Sequence, residues 1–294
     1  MNKKKILGII GGSGLYDIDG LVNKKWVKVN SIFGEPSDEI LFAELDDLEI
    51  RFLPRHGRGH LLTPSEINYK ANIEALKKIG VTEIISISAV GSLREDYVPG
   101  DFVLVDQFVD RTHSRKSTFF QNGLVAHVSM AHPVCSRNGS HILEAAKHES
   151  IKIHEKGTYI VMEGPQFSTK AESEIYRKWE CDVIGMTNMP EAKLAREAEI
   201  CYTSVAMVTD FDCWHPNHEN VTVDAIIKVL TANAANAKKL IKRFVPFFLN
   251  DNNSENCTCK KALDNAIITS AGMRSKEVMD KLSSILTRLN YNSN

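Results

Sequence analysis

The stretch that most constrains how this chain folds is residues 84–101, IISISAVGSLREDYVPGD, in which a β-branched apolar run stops abruptly at Gly91 and turns polar. Ile84, Ile85, Ile87 and Val90 put apolar groups on both faces, with only serines between them. A strand greasy on both sides is stable only when both are covered, as in the centre of a largely parallel sheet flanked by helices. Sheets of that kind bind ligands beyond the carboxyl ends of their strands. Ser88 supplies a hydroxyl there, Ala89 and Gly91 permit close backbone approach, and Ser92 can cap a short turn, so the strand end can present donors to an anion. The same residues also suit an ordinary chain reversal, and other stretches must decide.

Residues 5–10 read as a first strand running into Gly11-Gly12-Ser13-Gly14. The dinucleotide fingerprint fails here, because Asp17 occupies the third glycine position and no clear helix follows. What remains is a loop with free N–H groups and the Ser13 hydroxyl, suited to one phosphate or to a tight turn. Residues 25–29, 39–45 and 48–53 read as meander strands, the last two joined by an Asp46-Asp47 turn. Pro54-Arg55-His56-Gly57-Arg58-Gly59-His60 follows. Two arginines and two histidines among glycines cannot pack as a core, so this is a solvated loop or an anion site. Arg55 follows directly on a strand that would deliver it beside Ser88; Arg58 and His60 are better read as structural or exposed. A helix is expected from Thr63-Pro64-Ser65-Glu66 to Gly80, making a strand, helix, strand crossover with the run at Ile84.

Residues 102–106 form a strand in this reading, and the thirty or so beyond them, including His127, a long loop. A helix over 140–148, a strand over 158–162 and a helix over 169–179 come next. Between the last two lies Glu163-Gly164-Pro165-Gln166-Phe167-Ser168, where Phe167 could stack on a planar ligand but is read first as core. Residues 183–186 form a short strand ending at Met186 and Thr187, and Asn188-Met189-Pro190-Glu191 starts a helix, so Thr187 sits where helix N–H groups attract anions. Residues 204–209 form the last core strand. Asp210 and Asp212 stand just past its end, placed for hydrogen-bond acceptance or proton handling. Helical spacing from Val223 through Ile226 to Ile241 marks a long amphipathic helix. A polar linker over 250–255 and a terminal helix over 275–289 complete the chain.

With 294 residues and 43% hydrophobic content, the chain can bury one large α/β core. The expected organisation is a domain over 1–250 and a helical extension over 251–294 packed on it. A formal net charge of -1 and no long basic run give no electrostatic case for nucleic acid or an anionic membrane. The expected partner is a small molecule. The apolar run after the basic opening is too short for a signal peptide or a membrane span, which leads to an expectation of a cytoplasmic protein. Six cysteines lack C-x-x-C spacing, so no metal is expected; they read as buried free thiols, with a strained Cys257–Cys259 disulfide as the alternative.

Taken together, GIIGGSGLYD, PRHGRGH, NYKANIEALK, ISAVGSLREDYVPGD, EGPQFST, GMTNMPEAKLARE and TDFDCW, in this order, closely resemble the S-methyl-5'-thioadenosine phosphorylases of the trimeric purine nucleoside phosphorylase family. The resemblance runs from about residue 6 to 249. It implies a single α/β domain whose mixed sheet is partly closed into a barrel, and a homotrimer, with pairing into hexamers left open. It further implies a reaction in which phosphate, the co-substrate, displaces adenine from methylthioadenosine with no cofactor and no metal.

Carried over residue by residue, the resemblance assigns phosphate to Ser13, Arg55, His56, Ser88, Ala89 and Thr187. It places Asp210 at purine N7 as the catalytic acid and Asp212 at the amino group. Phe167 and Met186 line base and ribose, Val223 and Ile226 meet the methylthio group, and His127 reaches a neighbouring subunit's site. Relatives acting on 6-oxopurines carry a glutamate where Ser168 stands and an asparagine where Asp210 stands, so acid acceptors here favour an aminopurine. The alternative within the class is a broad purine nucleoside phosphorylase that also takes adenosine, inosine or guanosine.

Overall fold

The structure is a computed structural model that describes residues 5–12, 14–216 and 223–289, without the side chains of 223–226. Its eleven strands are β1 (Ile6–Gly11), β2 (Val22–Val27), β3 (Ile40–Leu45), β4 (Leu48–Pro54), β5 (Glu83–Ser92), β6 (Phe102–Val105), β7 (Gln107–Asp110), β8 (Ile153–His154), β9 (Thr158–Val161), β10 (Val183–Gly185) and β11 (Cys201–Asp210). The helices are α1 (Tyr69–Lys78), α2 (Ser136–His148), α3 (Lys170–Lys178), α4 (Asn188–Glu197), α5 (Val223–Leu249) and α6 (Lys276–Lys281). One mixed sheet joins all the strands in the order β2-β3-β4-β1-β5-β10-β9-β7, with β11, β6 and β8 branching from β5. The chain is thus an α/β single domain. Its sheet branches and bends rather than closing strictly into a barrel.

The two-faced apolar pattern of β5 does what covered strands require. Ile84 packs with Ile73 and Leu76 of α1 and Leu194 and Ala195 of α4 on one side. Ile85 and Ile87 pack with Ile142 of α2 and Leu240, Phe244 and Phe248 of α5 on the other. Each fully buried phenylalanine of α5 is worth about 3–5 kcal/mol against truncation to alanine. Between β3 and β4, Asp46 and Asp47 both adopt positive φ, 47° and 65°, the two-residue reversal whose twist matches a hairpin.

Several boundaries differ from the sequence expectation for identifiable reasons. Thr63 to Glu66 is a closed turn of its own, in which Thr63 N–H and Oγ1 both donate to the Glu66 carboxylate. α1 starts later, where the Asn68 side chain accepts from Ala71 N–H. The expected long loop after β6 begins with β7, half-exposed at every position and hence without periodicity, hydrogen-bonded to β9. α2 begins at Ser136, one residue after Cys135. The terminal segment is not one helix: α6 stops at Lys281, and the chain turns to bury Leu282, Ile285 and Leu286 against the core that α1 and α4 share. No helix among the described residues is long and apolar enough to cross a membrane.

Candidate active site

The sheet makes an opening in its own middle. One edge of β5 pairs with β1 only as far as Ser86, and its other edge pairs with β11 throughout. Gly91 pairs with Asp210 on the β11 side and with Ile184 of β10 on the opposite side. β10 therefore takes over the edge that β1 leaves, and residues 87–90 between them have no strand partner there. Buried main-chain groups must find partners or open onto a ligand. Here a cavity of about 540 Å³ occupies the fork, lined by Ser88, Ala89, Val90 and Gly91. Ala89 is the exposed residue of an otherwise covered central strand, because it faces this space.

Arg55 enters the fork from the end of β4. Its Nη1 donates to Ile87 O at 2.9 Å, and Nε and Nη2 donate to the Glu191 carboxylate at 2.9 and 3.1 Å. Ser86 Oγ and Tyr202 OH donate to the same carboxylate at 2.7 and 2.8 Å. Arg55 and Glu191 are 2% and 1% exposed, so the cation expected at an anion site is largely engaged by a buried countercharge. His56 is beside it. Burial pushes its imidazole down to about 4, and Nδ1 is hydrogen-bonded to Leu62 O at 2.8 Å, so the ring is neutral near pH 7. It stacks on His60, which also lines the cavity.

Ser88 Oγ donates to Asn188 Oδ1 at 3.2 Å, and the Asn188 amide is fixed by Tyr202 and Ser204. Thr187 lines the cavity with a hydroxyl that makes no capping bond. The regular helix N-terminus expected after it is absent: Met189 is extended (φ -116°, ψ 131°) and Pro190 has no N–H, so fewer aligned amides face Thr187.

The acid pair arises from a bulge. Val208 pairs with Val90 and Asp210 with Gly91, so Thr209 is an extra residue in β11, and both Thr209 and Asp210 reach the cavity. Asp210 accepts from Thr209 Oγ1 at 2.7 Å and from Asp212 N–H at 2.9 Å. Burial raises the pKa of Asp210 and of Asp212. Asp212 also lines the cavity, and the Ser173 hydroxyl acts against burial by favouring its charged form. Gly91 makes the approach possible, since a Cβ there would lie 3.0 Å from Asp210 Oδ1 and 3.1 Å from Ile184.

Apolar groups finish the walls: Met162, Ile184 and Met186 beside the acids, and Leu230 and Ala234 from α5. Phe167 is 51% exposed and lines the cavity, so it is not the core residue that its apolar character suggested. Arg55, His56, Ser88, Ala89, Thr187, Phe167, Met186, Asp210 and Asp212 are thus gathered around one space. His127 is not among them; it is exposed, with its N–H donated to Ala266 O. Ser168 also stands off the lining, its Oγ on Met162 Sδ at 3.3 Å. Ser13 and the side chains of Val223 and Ile226 lie outside the described residues.

Three contributors escaped the sequence reading. Glu191 looked like part of a helix start, and nothing local ties it to Arg55, 136 positions away. Thr209 reaches the cavity only because of the bulge. Arg115, inside the supposed loop, has a 1% exposed side chain that donates to Met186 O, Met189 O and Glu163 O, fixing the turns on either side of Met186. Nor was the meeting of Cys135, Cys201, Cys257 and Cys259 foreseen, and Cys257 and Cys259 are free, not paired as a disulfide.

Known proteins place this arrangement. The family description "Phosphorylase superfamily" matches residues 6–246. An S-methyl-5'-thioadenosine phosphorylase of Rhodospirillum rubrum is 56% identical, covering 98% of each chain. One of Hyperthermus butylicus is 47% identical over 90% of this chain and 96% of its own. Among solved structures, a methylthioadenosine phosphorylase sourced from an antarctic soil metagenomic library superposes with a TM-score of 0.90 at 49% identity, covering 97% of this chain and all of that one. The Schistosoma mansoni methylthioadenosine phosphorylase in complex with adenine gives 0.82 at 37% identity, over 88% and 97% of the two chains. Matched along almost its whole length in sequence and fold, the chain belongs to the phosphorylase superfamily.

Proposed function

We propose that the protein is a pentosyltransferase that splits S-methyl-5'-thioadenosine with inorganic phosphate, giving adenine and 5-methylthio-ribose 1-phosphate, in purine and methionine salvage. The observation that carries the reading is the acid pair. Two carboxyl groups with raised pKa values, Asp210 half-buried and Asp212 buried, share a cavity wall, and a carboxylate there is an acceptor suited to the amino group of adenine. A 6-oxopurine has no such donor, and its carbonyl would face that acceptor unfavourably.

In this mechanism a phosphate oxygen attacks C1' as the C1'–N9 bond breaks, and the bonding pair moves into the purine. Asp210 shares a proton with N7 and so disperses the developing negative charge. Its carboxyl is already oriented by Thr209 and the Asp212 N–H, so the acid costs little reorganisation, and general acid assistance of this kind is worth about 10²–10⁴ in rate. Ser88, Thr187, the Ala89 main chain, Ser13 and the Arg55–His56 corner are assigned to phosphate. Because His56 is neutral, the positive charge of this corner comes from Arg55, shared with Glu191. The anion is then held chiefly by oriented dipoles, and positioning supplies most of the remaining acceleration. Leu230 and Ala234, together with Val223 and Ile226 on the same helix, are assigned to the methylthio end, where a buried hydroxyl would lack a partner. No cofactor enters this scheme. The active form is proposed to be a cytoplasmic homotrimer, which light scattering on the purified protein checks.

The test is adenine release from methylthioadenosine as a function of phosphate, with adenosine and inosine compared at equal concentration. Release that needs phosphate and falls from methylthioadenosine to inosine supports the reading. Equal release in phosphate-free buffer refutes phosphorolysis, and inosine as best substrate refutes the assigned specificity in favour of a broad purine nucleoside phosphorylase.

A further inference from the structure

Away from the cavity, four cysteines converge from three parts of the chain. Cys135 precedes α2, Cys201 opens β11, and Cys257 and Cys259 flank Thr258 in the segment after α5. Their sulfur atoms all lie within 4.8 Å of one another, and the Sγ atoms of Cys135 and Cys257 are 3.6 Å apart. None of the four lines the nucleoside cavity. Cys135, Cys201 and Cys259 are buried and Cys257 is half-buried.

We propose that these four thiols form a structural zinc site of the tetrathiolate class, distinct from the active site. A zinc ion bonds four sulfurs at about 2.3 Å in a tetrahedron, which puts the sulfurs about 3.8 Å from one another. Mutual proximity of all four is what a single central cation demands. Disulfides would instead draw the sulfurs into two pairs at about 2.05 Å, with no need for the pairs to meet. Four thiols clustered with no metal would gain little, since S–H groups are weak donors.

The surroundings suit the charge. Zinc displaces the thiol protons to solvent and leaves a site of net charge -2, which needs nearby cations. The Arg137 guanidinium is 3.7 Å from Cys201 Sγ, a donor that a metal-bound thiolate accepts well. Arg137 is held by Glu83 and Asp251, and Lys260, adjacent to Cys259, lies 3.5 Å from Glu83. The cation beside the sulfurs is therefore tied through Glu83 to the start of β5. The ion would fasten the segment after α5 to the starts of β11 and α2, an attachment that the pattern of apolar residues over 257–261 does not otherwise supply.

The test is elemental analysis of the purified full-length protein, followed by mercurial titration with a colorimetric zinc indicator. One zinc per chain, released as four thiols react, is expected. Replacing zinc with cobalt should give the intense visible bands of tetrahedral cobalt thiolate, a readout independent of activity. C257S/C259S should lose the metal and those bands and unfold at lower temperature, whereas C181S, outside the cluster, should keep both. Should the double variant fail to fold, cobalt exchange into the unaltered protein still decides the matter. Intact masses 2 or 4 Da below the reduced chain, showing disulfides, or four freely reactive thiols with no bound metal, overturn the proposal.

Discussion

Replacing Glu191 with glutamine probes the buried pair on which the fork depends. Glu191 is 1% exposed and its two oxygens accept from Arg55 Nε and Nη2, Ser86 and Tyr202. Glutamine keeps the shape but offers one acceptor oxygen and an NH₂ that must face a donor, either Arg55 Nε–H or the group formed by Nη2, Ser86 and Tyr202. It also leaves the guanidinium buried without a countercharge, with only neutral acceptors such as Ile87 O, Ile10 O and Ser86 Oγ to face it. Removing one member of a buried pair costs about 3–5 kcal/mol. At about 2–4 °C per kcal/mol in a domain approaching this size, the melting temperature should fall by roughly 6–20 °C. Differential scanning calorimetry measures this, and initial rates against phosphate should show KM raised on the order of tenfold as Arg55 loosens. Replacing both partners, R55M/E191L, removes the orphaned charge and should recover most of the stability while phosphate use stays impaired. A single variant that melts within about 2 °C of the parent, or a double variant as unstable as the single, would refute the argument that uncompensated charge sets the cost.

The remaining expectations concern three residues that line the cavity, Asp210, His56 and Gly185. Asp210→Ala should lower kcat by about 10²–10⁴ with nucleoside binding largely retained, as read by steady-state kinetics and calorimetric titration; unchanged kcat would remove Asp210 from proton transfer. Because the native pKa of Asp210 is raised by burial, the protonated acid is lost as pH climbs through it, so kcat/KM should decline on the alkaline side and that limb should vanish in Asp210→Asn. His56 titrates near 4 in the native state against about 6.5 unfolded, so the unfolded chain takes up that proton first and stability should drop between pH 6.5 and 4. His56→Gln should flatten that slope in pH-dependent melting curves, and an unaltered slope would place its origin elsewhere. Gly185→Ala would set a Cβ 1.9 Å from Tyr159 OH, and should destabilise by about 1–3 kcal/mol, seen as a lower melting temperature.

What could be read from the chain alone was what short stretches determine. The two-faced run of β5, the Asp46-Asp47 reversal and the helix opening at Thr169 each depend on neighbours a few positions away, and each stands where the pattern put it, Thr169 completing a capping box with Glu172. Arg55, Ser88, Thr187, Asp210 and Asp212 could be suspected because polar groups at strand ends are informative in a parallel sheet. Their grouping into one site came from the ordered motifs. Legibility failed wherever distant residues decide. The Arg55–Glu191 pair, the bulge at Thr209 and the gathering of four cysteines depend on how strands are brought together, and spacing rules for C-x-x-C cannot see thiols 122 positions apart. The terminal helix expected over 275–289 stops at Lys281, because the i, i+3, i+4 spacing of the buried Leu282, Ile285 and Leu286 is met by successive turns as well as by a continuous helix.

That residues 87–90 lose one neighbouring strand before the next arrives means the part of the cavity they line is drawn in main chain, by a missing rung in the ladder. Side chains at the rim can then be exchanged while the gap in the main chain stays put; on the proposed function, that retunes which nucleoside is admitted without moving the point where phosphate would meet it. To move that point a sequence would have to re-pair its central strand, and few single substitutions can do so.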